Sequence, residues 1–147
     1  MIQSPLLKHL GGCIGGQWIC AVPGGSFDVL NSATGEVLAA LPRMGPSETE
    51  AAIEAAASVL EPTPPLEHRR AWLRGIYDRL LEQKQELARI VTLEHGKPLK
   101  ESVAEVEYTA GFFRFFADQI DHLQPQTLPD PIRGCRWTIH HRPAGVG

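Results

Sequence analysis

Apolar positions change their spacing twice along the sequence, and the two changes divide it into three stretches. From 14 to 41 the pattern is strand-like. Short apolar runs at 14–19, 27–31 and 37–41 are separated by Pro23-Gly24-Gly25 and by Asn31-Ser32-Ala33-Thr34-Gly35-Glu36, both of them turn signals. Gly35 tolerates a positive φ, and the Asn31 side chain can accept a hydrogen bond from its own downstream backbone. These features predict a small antiparallel meander at the amino terminus.

The middle reads as helix. Ser47-Glu48-Thr49-Glu50 has the form of a capping box, in which the serine hydroxyl accepts a helix-end amide and the glutamate reaches back. An alanine-rich helix is expected over 48–60, with Ile53, Ala56, Ala57 and Leu60 on one face. Glu61-Pro62-Thr63-Pro64-Pro65 stops it, because proline lacks the amide proton and clashes with the preceding turn. Leu66, Leu73, Ile76 and Leu80 then recur at helical spacing and continue through Leu87, Ile90 and Val91. Gly96 marks an end and Pro98 the first residue of the next helix. That helix is expected to reach about His122, burying Val103, Val106, Ala110, Phe113, Ala117 and Ile120.

After Gln124 the texture changes again. Pro125, Pro129 and Pro131 indicate an irregular connection, and 136–142 alternates polar and apolar side chains as a strand does, before Pro143 ends it. The order is strands, three or four helices, then a strand. A helix group cannot by itself cover a lone final strand, so that strand is expected to need a partner from elsewhere.

Composition bounds the functional classes. The chain has 147 residues, 43% hydrophobic and 21% charged, with a net charge of −3; these values are ordinary for a soluble domain and recommend neither a nucleic-acid partner nor a membrane. The uncharged stretch 10–27 is too rich in glycine to span a bilayer. Cys13, Cys20 and Cys135 are an odd number without metal-ligand spacing, which suits reduced thiols and a cytoplasmic protein.

No self-contained active site is visible. There is no Gly-x-Gly-x-x-Gly loop after a strand and no Gly-x-Ser-x-Gly elbow. His140 and His141 invite a metal, but neighbours on a strand point to opposite faces. Glu101 and Glu105 share a helix face and could hold a metal or divide acid and base roles; a solvated face near a helix start is the plainer reading. Phe112, Phe113, Phe115 and Phe116, around Arg114, exceed what one core stripe needs. Cys135 lies between Arg133 and Arg136, which would favour a thiolate, yet no base accompanies it.

Taken in order, the short segments carry more than any does singly. Ile14-Gly15-Gly16-Gln17-Trp18 precedes Phe27-Asp28-Val29-Leu30-Asn31 and Ala33-Thr34-Gly35-Glu36-Val37. Ala51-Ala52-Ile53-Glu54-Ala55-Ala56 follows, then Leu93-Glu94-His95-Gly96-Lys97-Pro98-Leu99, and Arg142-Pro143-Ala144-Gly145-Val146-Gly147 closes the series. In this order the sequence resembles the start of the aldehyde dehydrogenase superfamily. Thr127-Leu128-Pro129-Asp130-Pro131 with Trp137-Thr138-Ile139 resembles the succinate-semialdehyde dehydrogenases in particular. Ser32 departs from the family's usual proline, and His95 stands where glutamine or asparagine is commoner.

The resemblance implies an α/β fold: an amino-terminal meander, helices of the cofactor domain and one oligomerisation strand, stopping before the main parallel sheet. Residues 1–133 would belong to the NAD(P)-binding domain, 134–142 to the oligomerisation element of a homodimer or homotetramer, and 143–147 to the start of a cofactor-sheet strand. In the family a cysteine thiolate attacks a small aldehyde, hydride passes to NAD or NADP, and a glutamate activates the hydrolytic water. None of the three cysteines here matches that setting. No catalytic and no cofactor-binding residue is therefore assigned, and the 147 residues alone are expected to be inactive. Tyr108 and Phe112 would border the substrate entrance. Glu94, with the Val29 backbone, resembles a position that holds a structural monovalent cation in some members. The rival reading is a non-enzymatic interaction module that pairs with a partner chain; a helical metal-binding domain is a third.

Overall fold

Gly15 and Gly16 decide the first element. The computed structural model describes residues 2–20, 25–129 and 132–147. In it β1 (Gly12–Ile14) and β2 (Gln17–Ile19) pair antiparallel. They are joined by the two glycines at φ +57° and +80°, the positive values that a two-residue hairpin turn needs to match strand twist. The single strand expected over 14–19 is thus corrected to a hairpin. β3 (Ser26–Leu30) and β4 (Val37–Pro42) form a second one, in the register Phe27↔Leu41. Its turn follows the sequence expectation. The Asn31 side-chain oxygen accepts the Ala33 amide at 2.9 Å, and Gly35 sits at φ +74°. The strands make separate hairpins rather than one continuous meander. Pro23 and Gly24 of the expected turn between them, and Pro131 later, lie outside the described residues.

Helix α1 (Pro46–Ala57) begins two residues before its expected start, because proline suits the first turn and the cap is Gly45. The Gly45 amide donates to the Glu48 carboxylate at 2.7 Å. The Ser47–Glu50 box is therefore displaced: Glu48 reaches back, and Ser47 donates to Glu48 at 3.0 Å. The apolar face expected on this helix is not buried within the chain, and Ile53 remains 49% exposed.

The apolar repeat from Leu66 to Val91 spans two helices, α2 (Leu66–Glu82) and α3 (Lys84–His95). Gln83, at φ −98° and ψ 8°, ends one and starts the other. Nothing in Glu82-Gln83-Lys84 is a helix breaker, so the spacing runs across the break unmarked. Gly96 closes α3 at φ +75°, as the sequence suggests. Helix α4 (Leu99–Asp118) continues as a short 3-10 turn, Ile120–Leu123, and packs against both α2 and α3.

The expected stripe of α4 supplies most of the core, with Leu38 and Ala39 of β4 also buried. Val106, Ala110, Ala117 and Ile120 are buried, and Ala88 of α3 joins them; Val103 and Phe113 are half-buried. Small side chains let helices approach closely, so packing here depends on backbone proximity rather than on bulk. Ser102 is fully buried and shares a 2.8 Å hydrogen bond with Thr92, tying α4 to α3. Across the other interface the Arg70 guanidinium of α2 donates to the Ala117 carbonyl at 3.2 Å and to Asp121 at 2.7 Å.

The final strand is shorter than expected, β6 (Trp137–Ile139), and its partner lies in the same chain. It pairs antiparallel with β5 (Gln126–Leu128) in the register Thr127↔Thr138. Three prolines around a three-residue strand hid β5 in the sequence. Every residue of this ribbon is exposed.

Candidate functional site

Helix α4 has a second face whose side chains the described residues leave uncovered. The rings of Tyr108 and Phe112, one turn apart, meet edge to face at 4.8 Å and are 69% and 47% exposed. Phe115 and Phe116 make a second edge contact at 5.4 Å, also exposed. Aromatic pairs of this geometry gain from their quadrupoles, but leaving so much ring surface in water is unfavourable unless something else covers it. The Arg114 guanidinium lies 5.6 Å from the Tyr77 ring of α2. Phe113 turns toward the core.

The carboxyl end of α3 meets the turn after β3. The Ser32 amide donates to the Leu93 carbonyl at 3.2 Å, and the Ser32 hydroxyl donates to the Glu94 carbonyl. Gly96 lies beside the same serine: a Cβ added there would meet Ser32 Cβ at 3.5 Å, an ordinary contact. The element that bears Glu94 thus docks beside the loop that follows Val29. The contact is made by backbone and by Ser32, the residue that departs from the family's proline. The Glu94 side chain itself is exposed.

The remaining candidates do not converge. Glu105 is drawn to Lys97 by an ion pair whose cation holds its carboxyl below the ordinary range, and Glu101 stands apart and exposed. His140 and His141 lie beyond the strand rather than on it, so alternation does not place them, and both are exposed. Cys135 is in the turn before β6, its amide donating to the Ile132 carbonyl at 2.9 Å. Among the described residues no group of three His, Cys, Asp or Glu side chains could hold a metal, and no helix is long and apolar enough to cross a membrane.

Sequence reasoning passed over the open face of α2. Trp72, 57% exposed, and Ile76 line two adjoining apolar grooves of about 630 and about 560 Å³. Leu6 and Leu87 help line one, Leu60 and Leu123 the other. Trp72 sits next to Leu73 of the expected stripe; a helix apolar over more than one face was the available signal.

Small antiparallel hairpins accompany a layer of three packed helices, and one aromatic helix face is left open among the described residues. The pattern of the aldehyde dehydrogenase family matches residues 18–147, and the chain belongs to that family. It is 38% identical over 147 residues to a mitochondrial succinate-semialdehyde dehydrogenase of Oryza sativa subsp. japonica, covering 99% of this chain and 28% of that protein. It is 38% identical over 135 residues to a glutarate-semialdehyde dehydrogenase of Pseudomonas putida, covering 90% and 28%. The solved structure of an oxidoreductase from Marinobacter aquaeolei superposes with a TM-score of 0.90 at 48% identity, covering 97% of this chain and 30% of that one. The chain therefore spans less than a third of the length of the relatives it matches.

Proposed function

We propose that these residues are the amino-terminal part of an NAD(P)-dependent aldehyde dehydrogenase that oxidises a small aldehyde bearing an anionic tail, succinate semialdehyde first among candidates. The observation that carries the reading is family membership across 18–147 together with relatives that act on dicarboxylate semialdehydes. Residues 1–133 form the outer layer of the cofactor domain, 134–142 contribute to the oligomerisation element of a homodimer or homotetramer, and 143–147 lead toward the cofactor sheet. The fully exposed β5–β6 ribbon supports the second assignment, since an open strand edge is a template for pairing. The apolar grooves along Trp72 and Ile76 support the first, as surfaces on which the rest of such an enzyme packs.

Within this enzyme Tyr108 and Phe112 line the substrate entrance, where two half-rigid rings exclude water from the path of the aldehyde. Glu94 and the Val29 backbone remain a proposed monovalent-cation position, weakened by the Ser32 hydroxyl already bound to the Glu94 carbonyl. The nucleophile, the water-activating glutamate and the nicotinamide-binding loop are not among the residues assigned to this chain, so the 147 residues alone turn over no aldehyde. The cytoplasm is the compartment we propose, in keeping with three unbridged thiols.

The test is a chimera. The rice enzyme with its matched amino-terminal segment replaced by these 147 residues reduces NAD⁺ or NADP⁺ in the presence of succinate semialdehyde, and the 147-residue chain alone reduces neither. A folded chimera without turnover, or turnover by the chain alone, contradicts the reading. The interaction-module alternative draws on the same exposed ribbon and predicts a defined complex of the chain with an intact dehydrogenase subunit on size-exclusion chromatography.

A further inference from the structure

The two grooves along α2 share Trp72 and Ile76 but differ in charge. The first holds one cation, Arg79, whose guanidinium is bound to Glu82 at 2.9 Å. It suits the packing role given above, because an apolar partner laid over it strands no charge. The second, of about 560 Å³, is lined by Arg69, His141 and Arg142 and by no aspartate or glutamate. Its walls come from three separate stretches of chain: the linker after α1, the first part of α2 and the segment that follows β6. A hollow of this size falls in the range of small-ligand sites, roughly 300–1,000 Å³.

The acids nearest in the chain are committed elsewhere. Glu67 and Asp121 pair with Arg70, and Glu61 accepts the Thr63 amide at 3.2 Å. Neither Arg69 nor Arg142 is paired with a carboxylate among the described residues. Arg69 is half-buried and Arg142 exposed. Covering an unpaired guanidinium with apolar surface is unfavourable, whereas a carboxylate laid against it gains charge-assisted, bidentate hydrogen bonds. Whatever closes this groove therefore brings an anion. It also brings apolar surface, since Leu60, Leu73 and Ile76 line the groove beside Trp72, itself 57% exposed.

We infer that this groove is a binding site for a medium-chain aliphatic carboxylate, its alkyl chain along Leu60, Trp72, Leu73 and Ile76 and its carboxylate held by Arg69 and Arg142. Arginine at both cationic positions suits a planar carboxylate, because each guanidinium offers a rigid fork of N–H donors that matches the two oxygens. The His141 imidazole is a further polar group of the same lining. Tyr108 and Phe112 do not line the groove, so the site is separate from the path proposed for the aldehyde. No bond forms or breaks in it; the ligand is held and released unchanged.

The experiment is isothermal titration calorimetry of octanoate into the 147-residue chain, with 1-octanol and butyrate as paired probes. Octanoate is expected to bind saturably, one molecule per chain. 1-Octanol keeps the alkyl chain and loses the charge, butyrate keeps the charge and loses most of the chain, and each is expected to bind about fivefold more weakly or worse. Arg142→Gln and Arg69→Gln are each expected to weaken octanoate by a similar factor, and Arg79→Gln in the other groove to leave it unchanged. Circular dichroism checks that the variants fold; if Arg69→Gln does not, Arg142→Gln, at an exposed position, decides alone. No saturable octanoate binding overturns the inference, as does equal affinity for 1-octanol or unchanged affinity in Arg142→Gln. Octanoate bound by the chain but not by the folded chimeric dehydrogenase assigns the groove to protein packing and overturns it too. None of these readouts depends on aldehyde turnover, so the inference and the proposed function fail separately.

Discussion

The two faces of α4 are built from different materials. Inward, Ser102, Val106, Ala110 and Ala117 are buried, and the three with no accessible surface are serine or alanine. Outward, Tyr108, Phe112, Phe115 and Phe116 put large rings into solvent. Hydrophobic burial alone would favour the reverse arrangement, since rings bury far more area than methyl groups. The inward face is small because two helices must come close to a third; the outward face is large, and nothing among the described residues covers it. One helix thus separates what holds the fold from what the fold offers.

The largest effects should follow from filling or emptying the inward face. Ala110→Leu inserts bulk where there is no accessible surface at all and should cost about 1–3 kcal/mol or more. Ile120→Ala should cost about 2–4 kcal/mol; urea unfolding followed by circular dichroism measures both. Ser102→Ala should cost about 1 kcal/mol by leaving Thr92 without its partner, and adding Thr92→Val should recover part of it in a double-mutant cycle. On the outward face Phe112→Ala should change stability by no more than about 0.5 kcal/mol. An equal loss from both faces would remove the distinction.

Acid gives the mildest probe. Arg89 grips both carboxylate oxygens of Glu86 at 2.7 and 3.0 Å, and with help from Ser4 this holds Glu86 down to about 2, against an ordinary 4.5. Asp121 beside Arg70 and Glu48 at the Gly45 amide are shifted the same way. A carboxylate whose folded pKa is depressed stabilises the fold above its unfolded value and loses that contribution as pH falls through the folded one. For Glu86 the loss should fall between about pH 4.5 and 2. Its size should be small because the groups keep part of their surface in solvent, and Glu86→Gln should flatten that part of the stability curve.

How far the sequence could be read follows from the same contrast. The inward stripe of α4 and the turn at Asn31 and Gly35 were legible, because a single periodicity or a positive φ leaves few alternatives. The break at Gln83 was not: helical spacing survives a one-residue interruption, and no proline or glycine marks it. β5 was hidden among prolines, and the capping box was misplaced by two residues because Gly45 and Pro46 outcompete Ser47 for the helix start. Of the site, the aromatic excess of α4 was visible as an excess, whereas the docking of Ser32 on Leu93 and Glu94 joins residues about sixty positions apart and leaves no local trace.

The measurement that tests the account most directly is the KM of the chimeric dehydrogenase for succinate semialdehyde with Phe112→Ala, set beside the unfolding midpoint of the same variant. If the outward face serves the aldehyde's path and not the fold, KM rises severalfold, on the order of 1 kcal/mol of binding, while the midpoint stays put. An unchanged KM with a lowered midpoint would make the aromatic face a structural surface and contradict the account.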